Sequence, residues 1–223
     1  HQPPLMSMNI FRLAGDMSHV ASIIVLLLRL KVVKNAAGIS LRTHELFLLV
    51  FVTRYLDLFT TYYSMYNSCM KILYISTTGY IVHMIRLQEP ICSTYDKAQD
   101  TFLHYKFLVA PCAVLAFLTN LWGGFNIIEL LWVFSIYLES VAILPQLVVL
   151  QRYGEVENLT GNYILLMGSY RALYILNWIY RSWTEPFYQH HWVVYICGLL
   201  QTALYADFFY YYYQSKKTGG KFS

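Results

Sequence analysis

Seven long apolar runs, separated by short polar connectors, cover most of the chain. A helix needs about 20 mostly apolar residues, each adding about 1.5 Å, to cross the hydrocarbon core of a bilayer. The runs therefore predict seven membrane-spanning helices, called predicted helices 1 to 7, at residues 9–33, 45–63, 70–87, 106–122, 126–151, 162–183 and 192–214. We expect an all-α membrane protein in which Gly123-Gly124 separates predicted helix 4 from predicted helix 5.

The composition agrees with this assignment, because the chain is 57% hydrophobic and only 13% charged. That leaves too little polar surface to cover a soluble domain. We expect residues 8–214 to form the seven-helix domain, after an N-terminal extension at 1–7 and before a tail at 215–223. The four cysteines have neither a CxxC motif nor the spacing of metal ligands. We therefore expect inert thiols, no metal, no cofactor and no nucleic-acid partner.

The basic residues are divided unequally between the two sides of the predicted bundle. Eleven of the 16 Lys and Arg residues lie on the side that holds the C-terminus, three lie on the other side, and Arg54 and Arg171 fall inside helices. Cytosolic loops carry the excess of basic residues, so this bias predicts a cytosolic C-terminus and a lumenal or external N-terminus. The sequon Asn158-Leu159-Thr160 then lies in the cytosol and should not be glycosylated.

An internal repeat appears when the chain is shifted by 117 residues, which gives 13 identities in 55 ungapped pairs. Arg54 coincides with Arg171 inside a shared Leu-Leu-x4-Arg frame, and Asn9 coincides with Asn126. Predicted helices 1 and 5 are separated by an even number of crossings, so the two repeats have the same orientation. The result is a 3+1+3 plan, with repeat one at 9–87, a linker helix at 106–122, and repeat two at 126–214. Such a plan places a site near the midplane between the halves.

Predicted helix 6 carries a polar and aromatic stripe. Its residues Arg171, Tyr174, Trp178 and Arg181 follow one another at i, i+3, i+7 and i+10, so they share one face. The planar guanidinium of arginine binds a carboxylate with two hydrogen bonds and stays charged when it is desolvated. The stripe therefore favours a site for an anion.

Other predicted helices add ionisable and aromatic residues. Predicted helix 2 holds Arg54 and Asp57 on one face, with Tyr55 beside them. Predicted helices 1 and 5 contribute Arg12, His19, Glu129, Trp132 and Glu139. We expect the arginines to outnumber the carboxylates available to neutralise them, which indicates a ligand with more than one carboxylate. In the alternative interpretation these residues are structural ion pairs, such as Arg171 with Glu139.

His19 is the only histidine that the pattern places deep inside a helix. A neutral, hydrogen-bonded core histidine is one interpretation. The other is a proton sensor, because histidine titrates between pH 5 and 8 and tyrosines could link it to the buried Glu139. Burial alone lowers the pKa of a histidine, so a switch near pH 6 would need an acidic partner or ligand.

Several segments together resemble the KDEL/HDEL receptor family, also called ER lumen protein-retaining receptors. They are MNIFRLAGDMSH, RYLDLF, TYDKAQDTF, WVFSIYLESVAILPQL, YRALYILNWIYR and YADFFYYYY, and LQRYGEVENLTGNY is similar to the plant and algal forms. The resemblance implies a seven-helix fold similar to SWEET and PQ-loop transporters. It also implies a receptor of ER and cis-Golgi membranes that binds the C-terminal tetrapeptide of escaped ER proteins at acidic pH and releases it near neutral pH.

The resemblance assigns a role to each candidate residue. Arg54, helped by Tyr55, would bind the terminal carboxylate of the peptide; Arg12 would bind its penultimate glutamate and Arg181 the aspartate before that. The Lys or His at the first position of the tetrapeptide would lie among Asp57, Glu129, Trp132 and Trp178. The resemblance implies a pH-sensing and coupling network of His19, Glu139, Tyr170, Arg171 and Tyr174.

Residues near the C-terminus are implied by the resemblance to act in transport. Asp207 matches a family residue tied to transport rather than binding, and Lys216, Lys217 and Lys221 resemble the signal for the COPI coat. The local sequence KKTGG and the residues Gln189, His190 and His191 depart from the family pattern. We expect both histidines to be exposed loop residues.

Three other functions compete with a cargo receptor. The repeat and Pro145-Gln146 favour a SWEET or PQ-loop type transporter of a small anionic solute, although predicted helix 1 has Leu28-Arg29 where a matching Pro-Gln would stand. A G-protein-coupled receptor fits poorly, because the connectors are very short. The sequence has neither a Ser/His/Asp set nor metal-ligand spacing, which argues against an intramembrane hydrolase and against any enzyme.

Overall fold

The computed structural model describes residues 9–121, 125–154, 156–185 and 191–218, and every regular element in these ranges is helical. The α-helices are α1 Ile10–Leu28, α2 Leu41–Arg54, α3 Met65–Leu87, α4 Ile91–Thr94, α5 Ala110–Leu121, α6 Ile127–Val141, α7 Leu144–Tyr153, α8 Asn158–Thr184 and α9 Trp192–Thr218. A π-helical turn at Arg29–Val33 continues α1, another at Tyr105–Val109 precedes α5, and a 3₁₀ turn at Leu56–Phe59 follows α2. Gly123-Gly124 and residues 1–7 lie outside the described ranges.

Predicted helix 2 is placed incorrectly at both ends. It begins at Leu41, where the hydroxyl of Ser40 accepts a hydrogen bond from the backbone N–H of Thr43. It ends at Arg54, so Asp57 lies in the 3₁₀ turn and does not share a helical face with Arg54. Predicted helix 3 likewise begins earlier, at Met65, where Ser64 is its N-cap.

Predicted helix 5 is two helices. Helix α6 ends at Val141 and α7 begins at Leu144, so Pro145 falls in the first turn of α7. Proline has no N–H for the helical ladder, and its ring clashes with the preceding turn, so it favours this position and interrupts a longer helix.

Within the described ranges, three helical stretches are long and apolar enough to cross a membrane, namely Ile10–Val33, Ile127–Tyr153 and Trp192–Tyr210, and Tyr105–Leu121 is a shorter apolar helix. The longer helices α3 and α8 are more polar because they carry charged residues that face inward. Lys71 on α3 is 7% exposed and Arg171 on α8 is 8% exposed. Large apolar side chains such as Ile24, Phe117 and Leu176 are instead exposed on the outside of the bundle. This inside-out distribution is typical of a membrane protein.

Helix packing joins the two halves of the chain. Helix α1 lies along α8 in the most extensive contact of the bundle, and α2 packs against α6. Helix α3 adjoins α2, and α9 contacts both α8 and α6. At one end of the α1–α8 pair, the side-chain amide of Asn9 donates to Oδ1 of Asn177 over 2.6 Å. The N-terminus of α1 is thereby held by a residue of α8 that lies 168 positions later in the chain.

The opposite end of the bundle is fastened by a buried polar network. Oε1 of Gln146 accepts from the backbone N–H of Ser40 over 2.8 Å, and Nε2 of Gln146 donates to the carbonyl of Gly38 over 2.7 Å. Asp100, 1% exposed, accepts from the Ser40 hydroxyl over 3.0 Å and from the Tyr95 hydroxyl over 2.7 Å. Burial and this hydrogen bond raise the pKa of Tyr95. The Pro145-Gln146 step is therefore tied to the start of α2 and to the connector before α5.

Candidate functional site

A cavity of about 190 Å³ lies between α6, α8 and α9, where α2 ends. Its lining combines guanidinium groups, a carboxylate, aromatic rings and an amide. The lining residues are Arg54, Trp132, Ile136, Glu139, Arg171, Tyr174, Trp178, Val194, Cys197, Gly198 and Gln201. Helices from both halves of the chain build it.

Glu139 is the polar centre of this cavity. It is 5% exposed and forms ion pairs with both Arg54 and Arg171. The hydroxyl of Tyr170 donates to its Oε1 over 2.8 Å, while Nε of Arg54 donates to the hydroxyl of Ser135 over 3.1 Å. One carboxylate therefore forms ion pairs with two guanidinium groups. The contact between Arg171 and Glu139 that the alternative interpretation predicted is confirmed.

The two arginines keep unused hydrogen-bond donors. Nη2 of Arg54 and Nε of Arg171 are buried and have no hydrogen-bond partner within the part of the chain that the structure describes. A buried donor without a partner is costly, and a buried cation more so. Because two positive charges share one negative charge, an anion entering the cavity would balance the charge and satisfy these donors.

Aromatic rings form one wall of the cavity. Trp178 lies edge-on to Tyr195, with 5.6 Å between the ring centroids, and edge-on to Tyr174 at 6.4 Å. Its ring packs against Gly198, where an added Cβ would lie only 2.5 Å from the Cζ3 atom of Trp178. Only glycine permits this close approach of α9 to the indole ring.

His19 lies beside the cavity, sandwiched between two tyrosines. Its ring is 7% exposed and stacks on Tyr74 at 4.5 Å and on Tyr170 at 4.4 Å. Tyr170 therefore contacts both His19 and Glu139, which is the tyrosine link that the sequence suggested. His44 on α2 is also buried, at 3% exposed, and lines a cavity of about 20 Å³ together with His19. His44 is thus a second buried histidine, but it lies in the first turn of α2 and not deep inside a helix.

Asp16 is a buried carboxylate that the sequence reasoning missed. It accepts hydrogen bonds from Tyr174 over 2.5 Å and from Tyr66 over 2.8 Å. Arg12, Asp16 and His19 follow one another at i, i+4 and i+7, so their shared helical face was a signal available in the sequence.

Asp57 already forms an ion pair with a lysine of its own chain. Its Oδ2 accepts from Nζ of Lys71 over 2.7 Å, and that ammonium lies over the rings of Tyr55 at 5.7 Å and Tyr63 at 5.4 Å. Lys71 is one of the three basic residues counted on the side opposite the C-terminus, and its side chain is buried. Tyr55 also stacks on Phe51 at 5.7 Å.

The remaining candidates do not line the cavity. Arg181 donates from Nε and Nη2 to the carboxylate of Glu185 over 2.9 and 2.8 Å. Arg12 is partly exposed and forms no ion pair with the residues that the structure describes, and Glu129 is exposed in the first turn of α6. These residues occupy the helix ends nearest the cavity.

Among the residues that the structure describes, those assigned to transport and those that depart from the family pattern do not line the cavity. Asp207 is exposed on α9, away from the cavity, and the backbone of Lys216 and Lys217 is helical. Lys221, Gln189 and His190 fall outside the described residues. His191 is exposed, with its ring edge-on to Trp132 at 5.7 Å.

The predicted excess of arginines over carboxylates is wrong for this end of the bundle as a whole. Five cations and five carboxylates occur there, namely Arg12, Arg54, Lys71, Arg171 and Arg181 with Asp16, Asp57, Glu129, Glu139 and Glu185. The excess is local to the cavity, where two arginines share Glu139. The sequence could not show how the carboxylates are distributed among their partners.

Fold and cavity together define a multi-pass helical membrane protein with an internal binding site. Residues 35–181 match the family model described as ER lumen protein retaining receptor. The chain is 56% identical over 214 residues to the ER lumen protein-retaining receptor of Petunia hybrida, covering 96% of this chain and 98% of that protein. It is 54% identical to the ER lumen protein-retaining receptor B of Arabidopsis thaliana over the same shares, and 50% identical to the ER lumen protein-retaining receptor of Plasmodium falciparum over 96% of both chains.

The chain therefore belongs to the ER lumen protein-retaining receptor family. It is a receptor and not an enzyme, and the resemblance read from the sequence is confirmed.

Proposed function

We propose that this receptor binds the C-terminal HDEL or KDEL tetrapeptide of escaped ER proteins in the 190 Å³ cavity and returns them from the cis-Golgi to the ER. Binding is tight at acidic pH and weak near neutral pH. The observation that carries the proposal is the shared use of Glu139 by Arg54 and Arg171, which leaves a buried positive charge and unused donors for a carboxylate.

Arg54 is the proposed partner of the terminal carboxylate. It is one of the two guanidinium groups that line the cavity, and its Nη2 donor is buried without a hydrogen-bond partner among the described residues. A carboxylate placed there would accept a charge-assisted hydrogen bond from this donor. Tyr55, the next residue, assists it in this proposal.

The other proposed contacts lie toward the mouth of the cavity. Arg12 binds the penultimate glutamate, and Arg181 exchanges Glu185 for the aspartate before it. Trp132 and Trp178 line the cavity, and they receive the Lys or His at the first position by cation–π attraction, with Asp57 and Glu129 nearby. The pairing of Asp57 with Lys71 means that a ligand cation competes with a resident one.

Acid dependence is assigned to the group formed by His19, Tyr170, Glu139, Arg171 and Tyr174. Stacking of His19 on Tyr170 and the bond of Tyr170 to Glu139 support this, because they connect the histidine to the carboxylate that holds Arg54. A proton on His19 would alter the balance of charge that Glu139 shares with both arginines.

We also propose seven membrane spans in the 3+1+3 parallel arrangement, with a lumenal N-terminus and a cytosolic C-terminus. The contact of α1 with α8 and that of α2 with α6 support it, because the 117-residue shift exchanges one pair for the other. The matched Asn9 and Asn126 both cap the helix that follows them. Asp207 acts in transport, and Lys216, Lys217 and Lys221 present the signal for the COPI coat.

A transporter of a small anionic solute is the second candidate. The interruption between α6 and α7 at Pro145 favours it, because broken helices often line transport sites. Flux would require the network of Ser40, Gln146 and Asp100 at the opposite end to open.

One experiment separates the two candidates. A labelled peptide ending in HDEL is titrated into purified receptor at about pH 5.5 and 7.5, a range that brackets histidine titration. A C-terminally amidated peptide is the control. Tight binding only at the lower pH and only with the free carboxylate supports the retrieval receptor. Absence of binding together with uptake of a dicarboxylate into proteoliposomes supports the transporter.

A further inference from the structure

Gln201 on α9 is a buried polar residue to which the proposed function gives no role. It is 1% exposed, and its Nε2 makes no hydrogen bond of ordinary geometry within the described ranges, although the Tyr205 hydroxyl lies near it. It lines the cavity together with Arg54, Glu139 and Arg171. A buried amide without a partner is costly, so this position is suited to a group that arrives from outside the chain.

The position of Gln201 along α9 places it deep in the cavity. The residue lies nine positions after Trp192, where the helix begins, which corresponds to about 13 Å of helix. Gly198, one turn nearer the mouth, is covered by Trp178. Gln201 therefore belongs with the arginines at the inner part of the site and not with the aromatic wall.

We propose that Gln201 is a ligand-binding residue whose side-chain amide donates to one oxygen of the carboxylate that Arg54 binds. The inference rests on the proposed function and deepens it. Arg54 supplies its unused Nη2 donor to the carboxylate from α2, and Gln201 supplies an uncharged donor from α9. Donors from both halves then hold the two oxygens of one carboxylate, and the amide adds no further positive charge.

Gln201→Met tests this assignment, because methionine has nearly the same shape and no donor. Loss of a hydrogen bond to a charged group predicts that the free-acid peptide binds roughly 10- to 100-fold more weakly at about pH 5.5. The amidated peptide, which lacks the carboxylate, should show no added loss from the substitution. Gln201→Glu should weaken binding of the free-acid peptide further, since a second carboxylate would face that of the ligand.

Tyr205→Phe is the matched control. Tyr205 lies one turn along α9, is 1% exposed and does not line the cavity, and its hydroxyl is the neighbour within the described chain that lies near the Gln201 amide. We expect this variant to bind like the wild type. If it reproduced the loss seen with Gln201→Met, the amide would act by hydrogen bonding to the Tyr205 hydroxyl and not to the ligand, and the proposal would be overturned.

The remaining outcomes are equally decisive. Wild-type affinity in Gln201→Met would overturn the assignment, and so would an equal loss for the free-acid and amidated peptides, which indicates packing alone. Should the Met variant fail to fold, Gln201→Asn keeps an amide one methylene shorter and must still show a carboxylate-specific loss. If the wild type binds neither peptide, the proposed function fails and this assignment fails with it.

Discussion

His19 stacks on Tyr170 with 4.4 Å between the ring centroids and 7° between the ring planes. The same tyrosine donates its hydroxyl to Glu139 over 2.8 Å. Tyr170→Phe keeps the stack and removes the hydrogen bond. We predict that this variant folds but has a smaller ratio of peptide Kd values between about pH 7.5 and 5.5, because the proton on His19 is no longer linked to Glu139.

Two further variants define the test of this link. His19→Ala should lose the gain of affinity at acidic pH. Tyr163→Phe removes a buried phenol on the same helix and should keep the wild-type ratio. An unchanged ratio in both His19→Ala and Tyr170→Phe would place the sensor elsewhere.

Gly198→Ala tests the aromatic wall. The new methyl group would lie 2.5 Å from Cζ3 of Trp178, so the indole must move. We predict a loss of stability of about 1–3 kcal/mol, as for other overpacked sites, together with weaker peptide binding. Thermal unfolding in detergent and a peptide titration measure the two effects.

Gly79→Ala is the control for that substitution. The nearest atom to a Cβ at Gly79 is Cδ1 of Leu48 at 3.9 Å, which is an ordinary contact. Alanine should be neutral or stabilising in this helix by up to about 1 kcal/mol. Equal behaviour of the two variants would contradict the role of Gly198.

Glu185 accepts two hydrogen bonds from Arg181, so in the proposed site it would compete with the ligand for this guanidinium. Glu185→Gln should strengthen peptide binding several-fold, because the guanidinium no longer leaves a charged partner. Arg181→Gln should weaken it. These opposite shifts should vanish for a peptide in which the aspartate is replaced by asparagine. If Glu185→Gln bound more weakly, Arg181 would not be a contact of that aspartate.

Burial of His104 leads us to predict a second effect of pH, on the stability of the protein and not on peptide binding. Burial lowers its pKa below the ordinary 6.5, although Oε2 of Glu45 lies 3.6 Å from its Nε2. The unfolded chain therefore binds this proton more readily than the folded protein. The contribution of neutral His104 to stability is therefore fully present above the pKa of the unfolded state. It is lost as the pH falls through the pKa of the folded state. His104→Gln should reduce the fall in melting temperature between about pH 7.5 and 5.5.

Exposed His83 supplies the comparison for His104. His83→Gln should leave the fall in melting temperature unchanged, since this side chain is exposed and is not affected by burial. An identical fall in wild type and His104→Gln would contradict the assigned role of His104.

The sequence predicted the helices well because their apolar runs are long and are punctuated by Pro, Gly and capping residues. It failed at α2, where the chain leaves the helix after Arg54 while that side chain bonds to Glu139 and Ser135 on another helix. The assignments of Lys71 and Gln201 were missed for a related reason. Lys71 is defined by its bond to Asp57 and Gln201 by its place in the cavity, and local spacing carries no signal for either.

The central claim is that Arg54 binds the terminal carboxylate of the ligand. Its most direct test is the ratio of Kd values for amidated and free-acid HDEL peptides at about pH 5.5, measured for the wild type, Arg54→Gln, and Arg152→Gln as a control. Arg152 is exposed at the opposite end, where it donates to the carbonyl of Gln99 over 2.7 Å. We predict a ratio of about 100 or more in the wild type and in Arg152→Gln, and a ratio near one in Arg54→Gln. A large ratio that persists in Arg54→Gln would contradict the claim.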